Sequence, residues 1–294
     1  MSAAAPAMHT ARSVAAASQL ACLLEVSAAK PGNVSPGRHF ADVRYEDFLA
    51  SAVAIGPVLG AAADRPLGTT VRRAVEATAA WTRTNTNLGI VLLFVPLARA
   101  ALTGDPGRPL RDAVRHVLAL STVADARDVY TAIRLARPGG LGHAPEQDAA
   151  EEPTVTLLDA MRLARDRDGI AREYATGFET TFGRGVPALQ RARGDGLAWD
   201  DAVVETYLSL LAAQSDTHVA RRSGPERAAA ITAAAAAVLA AGGVRSDAGR
   251  RAVADFDASL RDDRHSGNPG TTADLTAAAL FVVLLDGGWR TEDI

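Results

Sequence analysis

The sequence lacks most of the features that identify a function at once. It contains one cysteine, Cys22, so it can form neither a disulfide framework nor a thiolate metal cluster, and Cys22 is expected to be a small buried apolar residue. No His-Glu-x-x-His pattern, Walker loop or Rossmann glycine fingerprint is present, which disfavours the common nucleotide-binding folds. The net charge of −3 argues against a nucleic-acid partner held by a global positive field.

Long apolar runs and a secretory leader are also lacking. No stretch reaches the roughly 18 to 20 uninterrupted apolar residues of a membrane-spanning helix. Residues 228–241 are almost pure alanine and predict a tightly packed soluble helix. Residues 1–10 lack the basic start and leucine-rich core of a signal peptide and predict a flexible tail. We therefore expect a cytoplasmic protein without a membrane partner.

Alternating strand patterns are scarce, whereas apolar residues recur at spacings of three and four. The chain of 294 residues is therefore predicted to be all-α, a single compact multi-helix domain over 11–294 with its site formed by loops at helix N-termini. The predicted helices cover about 11–28, 45–63, 67–82, 87–102, 110–121, 124–135, 156–164, 169–182, 198–212, 225–241, 247–261 and 271–285. The irregular span 137–153 is long enough to predict a lid or a binding loop.

Three short polar segments stand at the mouths of apolar stretches, which suggests one composite site. The first, 84–89 (TNTNLG), precedes the run 90–95 and offers Asn85, Thr86 and Asn87 as hydrogen-bonding groups. A single N-cap would explain only one of these side chains. The free amides of the following helix start favour an anion or a polar ring edge at this position.

The second segment, 30–33 (KPGN), places Lys30 and Asn33 at a sharp turn, where a phosphate would fit. The alternative is a Pro-Gly helix stop with a solvated lysine. The third segment, 268–274 (NPGTTAD), carries Asn268, Gly270, Thr271, Thr272 and Asp274.

In the third segment the threonines and Asp274 have the spacing of a capping box. In that case their side chains would only form hydrogen bonds to the first turn of the helix. The functional alternative is that Gly270 lets the backbone approach a bound ligand closely and that Asp274 holds Mg²⁺. Two further clusters are candidates. Asp42 follows the Lys30 turn, and Asp216 precedes Arg221 and Arg222, which could bind a polyphosphate or form a solvated basic face.

These segments, in this order, resemble the triphosphoribosyl-dephospho-CoA synthase family. The resemblance spans most of the chain, and its motifs are Glu25 with 30–33, Asp42 with 48–52 (FLASA), 84–89, 215–217 (SDT) with 221–224 (RRSG), and 268–275. Each motif is weak alone, but five in compatible order form a specific signal. The resemblance implies an all-helical enzyme that moves the 5-triphosphoribosyl group of ATP to the 2-hydroxyl of 3-dephospho-CoA and releases adenine.

The roles implied for individual residues follow from that reaction. Positive charge develops on the ribose as adenine leaves, so a carboxylate near the anomeric carbon is needed, and Asp42 or Asp274 could supply it. Either carboxylate could also hold Mg²⁺. The expected substrate-binding set is Lys30, Asn33, Asn85, Thr86, Asn87, Asp216, Arg221, Arg222, Asn268, Gly270, Thr271 and Thr272.

Two departures from the family pattern leave the acceptor open. Asn87 and Leu88 stand where the family typically has His-Lys, and Thr271 and Thr272 stand where it typically has Gly-Ser. A tetrahydromethanopterin-pathway intermediate or water are alternative acceptors, and a non-catalytic helical binding protein is the third hypothesis. The sequence also leaves a homodimer open.

Overall fold

The computed structural model describes residues 9–289. Residues 1–8 of the predicted tail lie outside the described residues, so the tail and the 11–294 domain boundary stay predictions. The predicted all-α class is confirmed, since no strand occurs between residues 9 and 289 beyond an isolated bridge from Ser35 to Arg38. The helices are α1 Ala11–Ser27, α2 Tyr45–Gly60, α3 Leu67–Ala79, α4 Leu88–Thr103, α5 Leu110–Ala119, α6 Val123–Ala136, α7 Leu157–Ala164, α8 Gly169–Thr176, α9 Val186–Gly194, α10 Trp199–Ala213, α11 Thr217–Ser223, α12 Pro225–Ala240, α13 Asp247–Leu260 and α14 Gly270–Leu285.

Two helices that are apolar on almost every side, α4 and α14, form the centre of the protein. Phe94 of α4 stacks on Phe281 of α14 with ring centroids 4.5 Å apart. Nearer their N-termini, Gly89 of α4 faces Asp274 of α14. The two helices therefore run side by side in the same direction, and their first turns open at the same end. The remaining helices cover this pair and bury it.

The segment predicted as one helix over 169–182 is interrupted. Gly177 adopts a left-handed conformation with φ of 63° and ends α8. The buried carboxylate of Glu173 then accepts hydrogen bonds from the backbone amides of Thr180 and Thr181, at 2.9 and 2.8 Å, and caps the π-helical turn Thr181–Gly185. That turn continues into α9, which the sequence analysis did not predict.

The irregular span 137–153 is confirmed as a long connection without helix or strand between α6 and α7. It is held in place by its own hydrogen bonds. Tyr130 donates to the carbonyl of Gln147 at 2.6 Å, and the amides of Ala144 and Ala150 donate to Asp148. These amides lower the pKa of the Asp148 carboxyl. The loop is therefore an ordered wall of the structure.

The alanine-rich helix is less buried than predicted. In the described part of the chain, the stretch Pro225–Arg245 alone is long and apolar enough to cross a membrane by length and composition, and 33% of its most apolar window is buried. The prediction of tight packing is wrong, because many of its alanines face outward. A single helix of this kind is weak grounds for a membrane span.

Lys30, the chain's only lysine, is buried and not solvated. Its Nζ lies 3.0 Å from Glu25 Oε1 and also donates to the carbonyl of Ala28 at 3.3 Å. Replacing Lys30 with methionine is expected to lower the free energy of unfolding by about 3–5 kcal/mol, because Glu25 would be left as an unpaired buried charge. Urea denaturation followed by circular dichroism measures the change.

The matched control is Arg162→Met. Arg162 pairs with Asp159 at 2.9 Å, but both side chains are about half exposed. We expect a loss of less than about 1 kcal/mol there, because exposed ion pairs contribute little. Equal losses in the two variants would contradict the view that burial makes the Lys30–Glu25 pair important.

Candidate active site

Two adjoining cavities lie at the end of the molecule where α4 and α14 begin. The polar cavity has a volume of about 620 Å³, within the usual range of ligand pockets, and the apolar cavity has about 210 Å³. The polar cavity is lined by charged and amide side chains, among them Glu25, Asn33, Asp42, Asn85, Asn87, Arg222, Asp263, Arg264, His265, Asn268 and Asp274. The apolar cavity is lined by Leu88, Leu92, Tyr130, Ile133, Leu157, Met161, Ile170, Arg167, Asp168, Arg221, Asp274 and the 137–153 loop.

Five residues line both cavities and define the junction between them: Asn85, Leu88, Gly89, His218 and Asp274. Asp274 is the carboxylate of this set. No residue in the described range gives it a hydrogen bond or an ion pair. Asp274 is half-buried, and a carboxylate partly withdrawn from water normally acquires such partners, because its desolvation is costly without them. The unpartnered Asp274 therefore has its acceptor capacity free toward the cavities.

The surroundings of Asp274 favour its protonated form. Burial raises the pKa of the Asp274 carboxyl well above its usual range, and the nearby carboxylates of Glu25, Asp216 and Asp168 raise it further. A carboxyl whose pKa is raised by its surroundings is suited to exchange a proton with a substrate.

His218 is a junction residue outside the site predicted from the sequence. Burial lowers the pKa of the His218 imidazole to about 4, and the positive charges of Arg221 and Arg222 contribute. The ring is therefore neutral at physiological pH. Its Nε2 atom is buried without a hydrogen-bond partner. The short SDTH motif offers no signal that this histidine lines the same cavities as Asp274, because a helix start with a solvated face has the same sequence pattern.

The segment 84–89 has a mixed outcome. Asn85 Oδ1 accepts the amide of Leu88 at 3.0 Å and caps α4. Thr86 Oγ1 lies 2.5 Å from Ser51 Oγ, and Asn87 donates to Thr78 Oγ1 at 3.1 Å. Each side chain thus has a structural partner, yet all three also line the polar cavity. Their binding role stays a prediction.

The segment 30–33 separates into two parts. Asn33 lines the polar cavity and is fixed by hydrogen bonds to the carbonyl of Pro31 at 3.0 Å and to Tyr207 Oη at 3.1 Å. Lys30 lines neither cavity, because its ammonium is occupied by Glu25 and backbone carbonyls behind the site. The structure therefore does not bring Lys30 to the predicted phosphate position.

The capping-box interpretation of segment 268–274 is wrong. Helix α14 begins at Gly270 without a side-chain cap, and Asp274 instead lines both cavities. Asn268 instead ties the segment to the Lys30 turn, donating to the carbonyl of Gly32 at 2.8 Å and to Asn33 Oδ1 at 3.2 Å. The second and third polar segments therefore contact each other, and Gly89 of the first segment faces Asp274 of the third; their joint role as a binding site stays a prediction.

The threonines of this segment are braced by α11 and its cap. Asp216 caps α11 through the amide of Val219 at 3.0 Å, and its other oxygen accepts the amide and hydroxyl of Thr272, both at 2.7 Å. Thr271 Oγ1 lies 3.1 Å from Thr217 Oγ1. Asp216 and Thr272 line neither cavity, whereas Thr271 lines the apolar cavity and Gly270 the polar one. Asp216 and Thr272 therefore lie behind the cavities, where their hydrogen bonds hold the start of α14 in position.

The two predicted arginines point to different cavities. Arg221 lines the apolar cavity and pairs with Asp168, while Arg222 lines the polar cavity and donates to the carbonyl of Arg264 at 2.6 Å. Arg264 and Arg167 are further cations, in the polar and the apolar cavity respectively, that the sequence analysis did not include.

Asp42 occupies the rim of the polar cavity. Its side chain is 71% exposed and lies 4.0 Å from His265 Nε2. Between residues 9 and 289 no group of three or more His, Cys, Asp or Glu side chains is arranged to hold a metal ion. Asp42 and Asp274 are thus two separate carboxylates of one cavity, at its mouth and at its inner end.

Fold and site together define a class: an all-α protein with a two-part cavity at the starts of two central helices and a free carboxylate at the junction. Residues 11–293 match the sequence model of the ATP:dephospho-CoA triphosphoribosyl transferase family. The chain belongs to that family.

Individual relatives agree with this assignment. A protein of Pseudomonas putida named "Probable 2-(5''-triphosphoribosyl)-3'-dephosphocoenzyme-A synthase" is 43% identical over 115 residues, which are 39% of this chain and 40% of that protein. The synthase of that name from Klebsiella pneumoniae is 36% identical over 114 residues, again 39% and 40% of the two chains. The chain thus spans less than half the length of these two curated relatives.

A solved structure covers more of the chain. An Archaeoglobus fulgidus protein, whose crystal structure is described as that of a "putative triphosphoribosyl-dephospho-coA synthase", superposes with a TM-score of 0.64 at 30% identity. The alignment covers 82% of this chain and 100% of that one. The all-helical fold is therefore shared with that protein over most of this chain.

Proposed function

We propose that the protein transfers the 5-triphosphoribosyl group of ATP to the 2-hydroxyl of 3-dephospho-CoA and releases adenine. Family membership gives the reaction, and the placement of Asp274 carries the proposal on this chain. Its unpartnered carboxyl lies where two cavities meet, as a reaction between two bound substrates requires. The resemblance noted from the sequence leads to the same reaction.

The polar cavity suits the phosphate chain. Arg222 and Arg264 line it beside the amides of Asn33 and Asn268. Charge-assisted hydrogen bonds from arginine are the strong contacts for phosphate oxygens. Lys30, which the sequence analysis placed in the same role, acts indirectly by fixing Glu25 and the turn that carries Asn33.

Asp274 performs the proton transfer in this proposal. The bond from the ribose anomeric carbon to the adenine nitrogen breaks, and that carbon forms a bond to the acceptor's hydroxyl oxygen. The hydroxyl proton passes to the Asp274 carboxylate, and adenine leaves with the bonding electrons and takes up a proton from water. Asp274 then returns its proton to water, so the net transfer is one proton from the hydroxyl to adenine. The negative charge of Asp274 also stabilises the positive charge on the ribose.

Mg²⁺ is proposed as the counterion of the triphosphate. Mg²⁺ keeps several waters and is usually bound through one or two carboxylates together with substrate phosphates, so the absence of a three-ligand cluster in the described range does not conflict with it. Asp42, exposed at the mouth of the polar cavity, is the carboxylate that would hold the ion beside the phosphates, while Asp274 at the inner end serves the proton transfer. When bound, the ion neutralises phosphate charge.

The remaining partners follow from the same proposal. ATP and dephospho-CoA are the expected small-molecule partners, and neither nucleic acid nor membrane is expected. A cytoplasmic location and a homodimer are also kept as proposals.

The test is to incubate the purified protein with ATP and Mg²⁺, with and without dephospho-CoA, and to measure free adenine by chromatography. We expect adenine only when dephospho-CoA is present, together with a product heavier than dephospho-CoA by the triphosphoribosyl group. Adenine formed without the acceptor would support hydrolysis instead. No adenine in either case would contradict this reaction and favour another acceptor or a non-catalytic binding protein.

A further inference from the structure

The proposed reaction does not by itself say which part of a substrate occupies the apolar cavity. Its volume of about 210 Å³ lies below the usual range for drug-sized ligands. A whole nucleotide or a dephospho-CoA molecule would not fit, whereas one flat ring system would. The aliphatic walls come from Leu92, Ile133, Met161 and Ile170, on four different helices.

Two polar atoms at this cavity lack partners. Arg221 Nε and His218 Nε2 are buried without a hydrogen bond, and both residues line the cavity. They are three positions apart on α11, so they lie on one face of the helix. Buried polar atoms of this kind are costly unless a ligand satisfies them. Arginine Nε donates, and the neutral imidazole nitrogen donates or accepts according to its tautomer.

We infer that the apolar cavity is the binding site for an adenine ring. Adenine has two apolar faces, which suit the aliphatic walls, and an edge of ring nitrogens and an amino group, which suits Arg221 and His218. A ring in this cavity places its attached ribose at the junction, next to Asp274. The inference rests on the proposed function, which names the nucleotides that the protein binds. Both proposed substrates, ATP and dephospho-CoA, contain an adenine ring.

The experiment fills the cavity and measures binding by isothermal titration calorimetry. Ala160 on α7 lines the cavity and is nearly buried, so Ala160→Leu adds bulk within it. Ala164→Leu, one turn further along and less buried, is the second variant in case the first does not fold. The matched control is Ala237→Leu on the exposed face of α12. The probes are adenine, ATP, dephospho-CoA and inorganic tripolyphosphate.

We expect either filling variant to weaken adenine binding by roughly tenfold to a hundredfold, since overpacking costs that much affinity. Tripolyphosphate should bind as to the wild type, because its contacts lie in the polar cavity. Of the two nucleotides, the one whose affinity falls with adenine supplies the ring. The control variant should bind all four probes unchanged.

The inference is overturned if adenine and both nucleotides bind the filled variants as tightly as the wild type. An equal loss for tripolyphosphate also overturns it, because a phosphate chain has no place in the apolar cavity. These binding results are independent of turnover. If the wild type releases no adenine from ATP, the proposed function fails, while a loss of adenine affinity on filling still supports the adenine site.

Discussion

Replacing Asp274 with asparagine is expected to reduce adenine release by about 10²–10⁴-fold, the range of a lost general acid-base group. The asparagine side chain has nearly the same size but neither takes up the acceptor's proton nor carries negative charge toward the ribose. Initial rates of adenine formation at saturating ATP and dephospho-CoA measure the loss. The matched control is Asp255→Asn, exposed on α13 and outside both cavities, which should leave the rate at the wild-type value.

The same substitution should stabilise the fold at neutral pH. Burial raises the Asp274 pKa, so the folded chain binds this proton more tightly than the unfolded chain does. That stabilisation is complete below the ordinary aspartate pKa of the unfolded chain and is lost as pH rises through the raised pKa of the folded chain. Asparagine imitates the protonated form and keeps the stability at higher pH, so the Tm of the variant should exceed that of the wild type.

Asp255→Asn is the control for the Tm measurement, because Asp255 is exposed on α13 and lies outside both cavities. Its Tm should stay at the wild-type value. In the wild type, kcat/KM should rise with pH as Asp274 ionises, with a midpoint above the ordinary aspartate range. An Asp274→Asn variant with full adenine release would remove Asp274 from the mechanism, and a lowered Tm would contradict the account of its burial.

The local sequence pattern was sufficient to predict the all-α class and the spatial proximity of the polar segments. Apolar spacing reveals α4 and α14 because both are long and bounded by polar residues. The interruption after α8 was not predictable in the same way. It depends on Glu173 reaching the amides of Thr180 and Thr181, a contact that apolar periodicity does not encode.

The roles of individual side chains depend on the direction in which each side chain points, and the sequence does not give that direction. The KPGN turn suggested an exposed ammonium. The Lys30 side chain instead points into the interior, because it forms a buried ion pair with Glu25. The TTAD spacing suggested a cap, but α14 starts one residue earlier than predicted, at Gly270, and Asp274 faces the junction. His218 belongs to the site through the packing of α11 against α14, a contact between distant parts of the chain.

The glycine that ends the TNTNLG segment faces Asp274 directly, and its substitution tests the junction. A Cβ atom at position 89 would lie 2.0 Å from Asp274 Oδ2 and 2.6 Å from its Cγ. The three nearest atoms all belong to the Asp274 side chain and none to the backbone, so Gly89→Ala should displace the Asp274 side chain from the junction while the backbone stays in place. We expect adenine release to fall by about 10²-fold, the lower end of the loss for an acid-base group.

The control for Gly89→Ala is Gly194→Ala. Gly194 ends α9, and a Cβ there would meet no atom within 4 Å. Glycine to alanine in a helix normally stabilises it by up to about 1 kcal/mol, so propensity alone predicts unchanged activity and equal or higher stability at both positions. Gly89→Ala with wild-type activity would contradict the proposed placement of Asp274.

A double-mutant cycle separates displacement of Asp274 from any other effect of the new methyl group. In an Asp274→Ala background the carboxylate is gone, so adding Gly89→Ala meets no clash and should lower the residual activity little further. The two losses would then be strongly non-additive, which is the expected signature of residues in direct contact. Additive losses would mean that Gly89 acts through the cavity walls instead, and Asp274 would no longer explain why a glycine stands at this position.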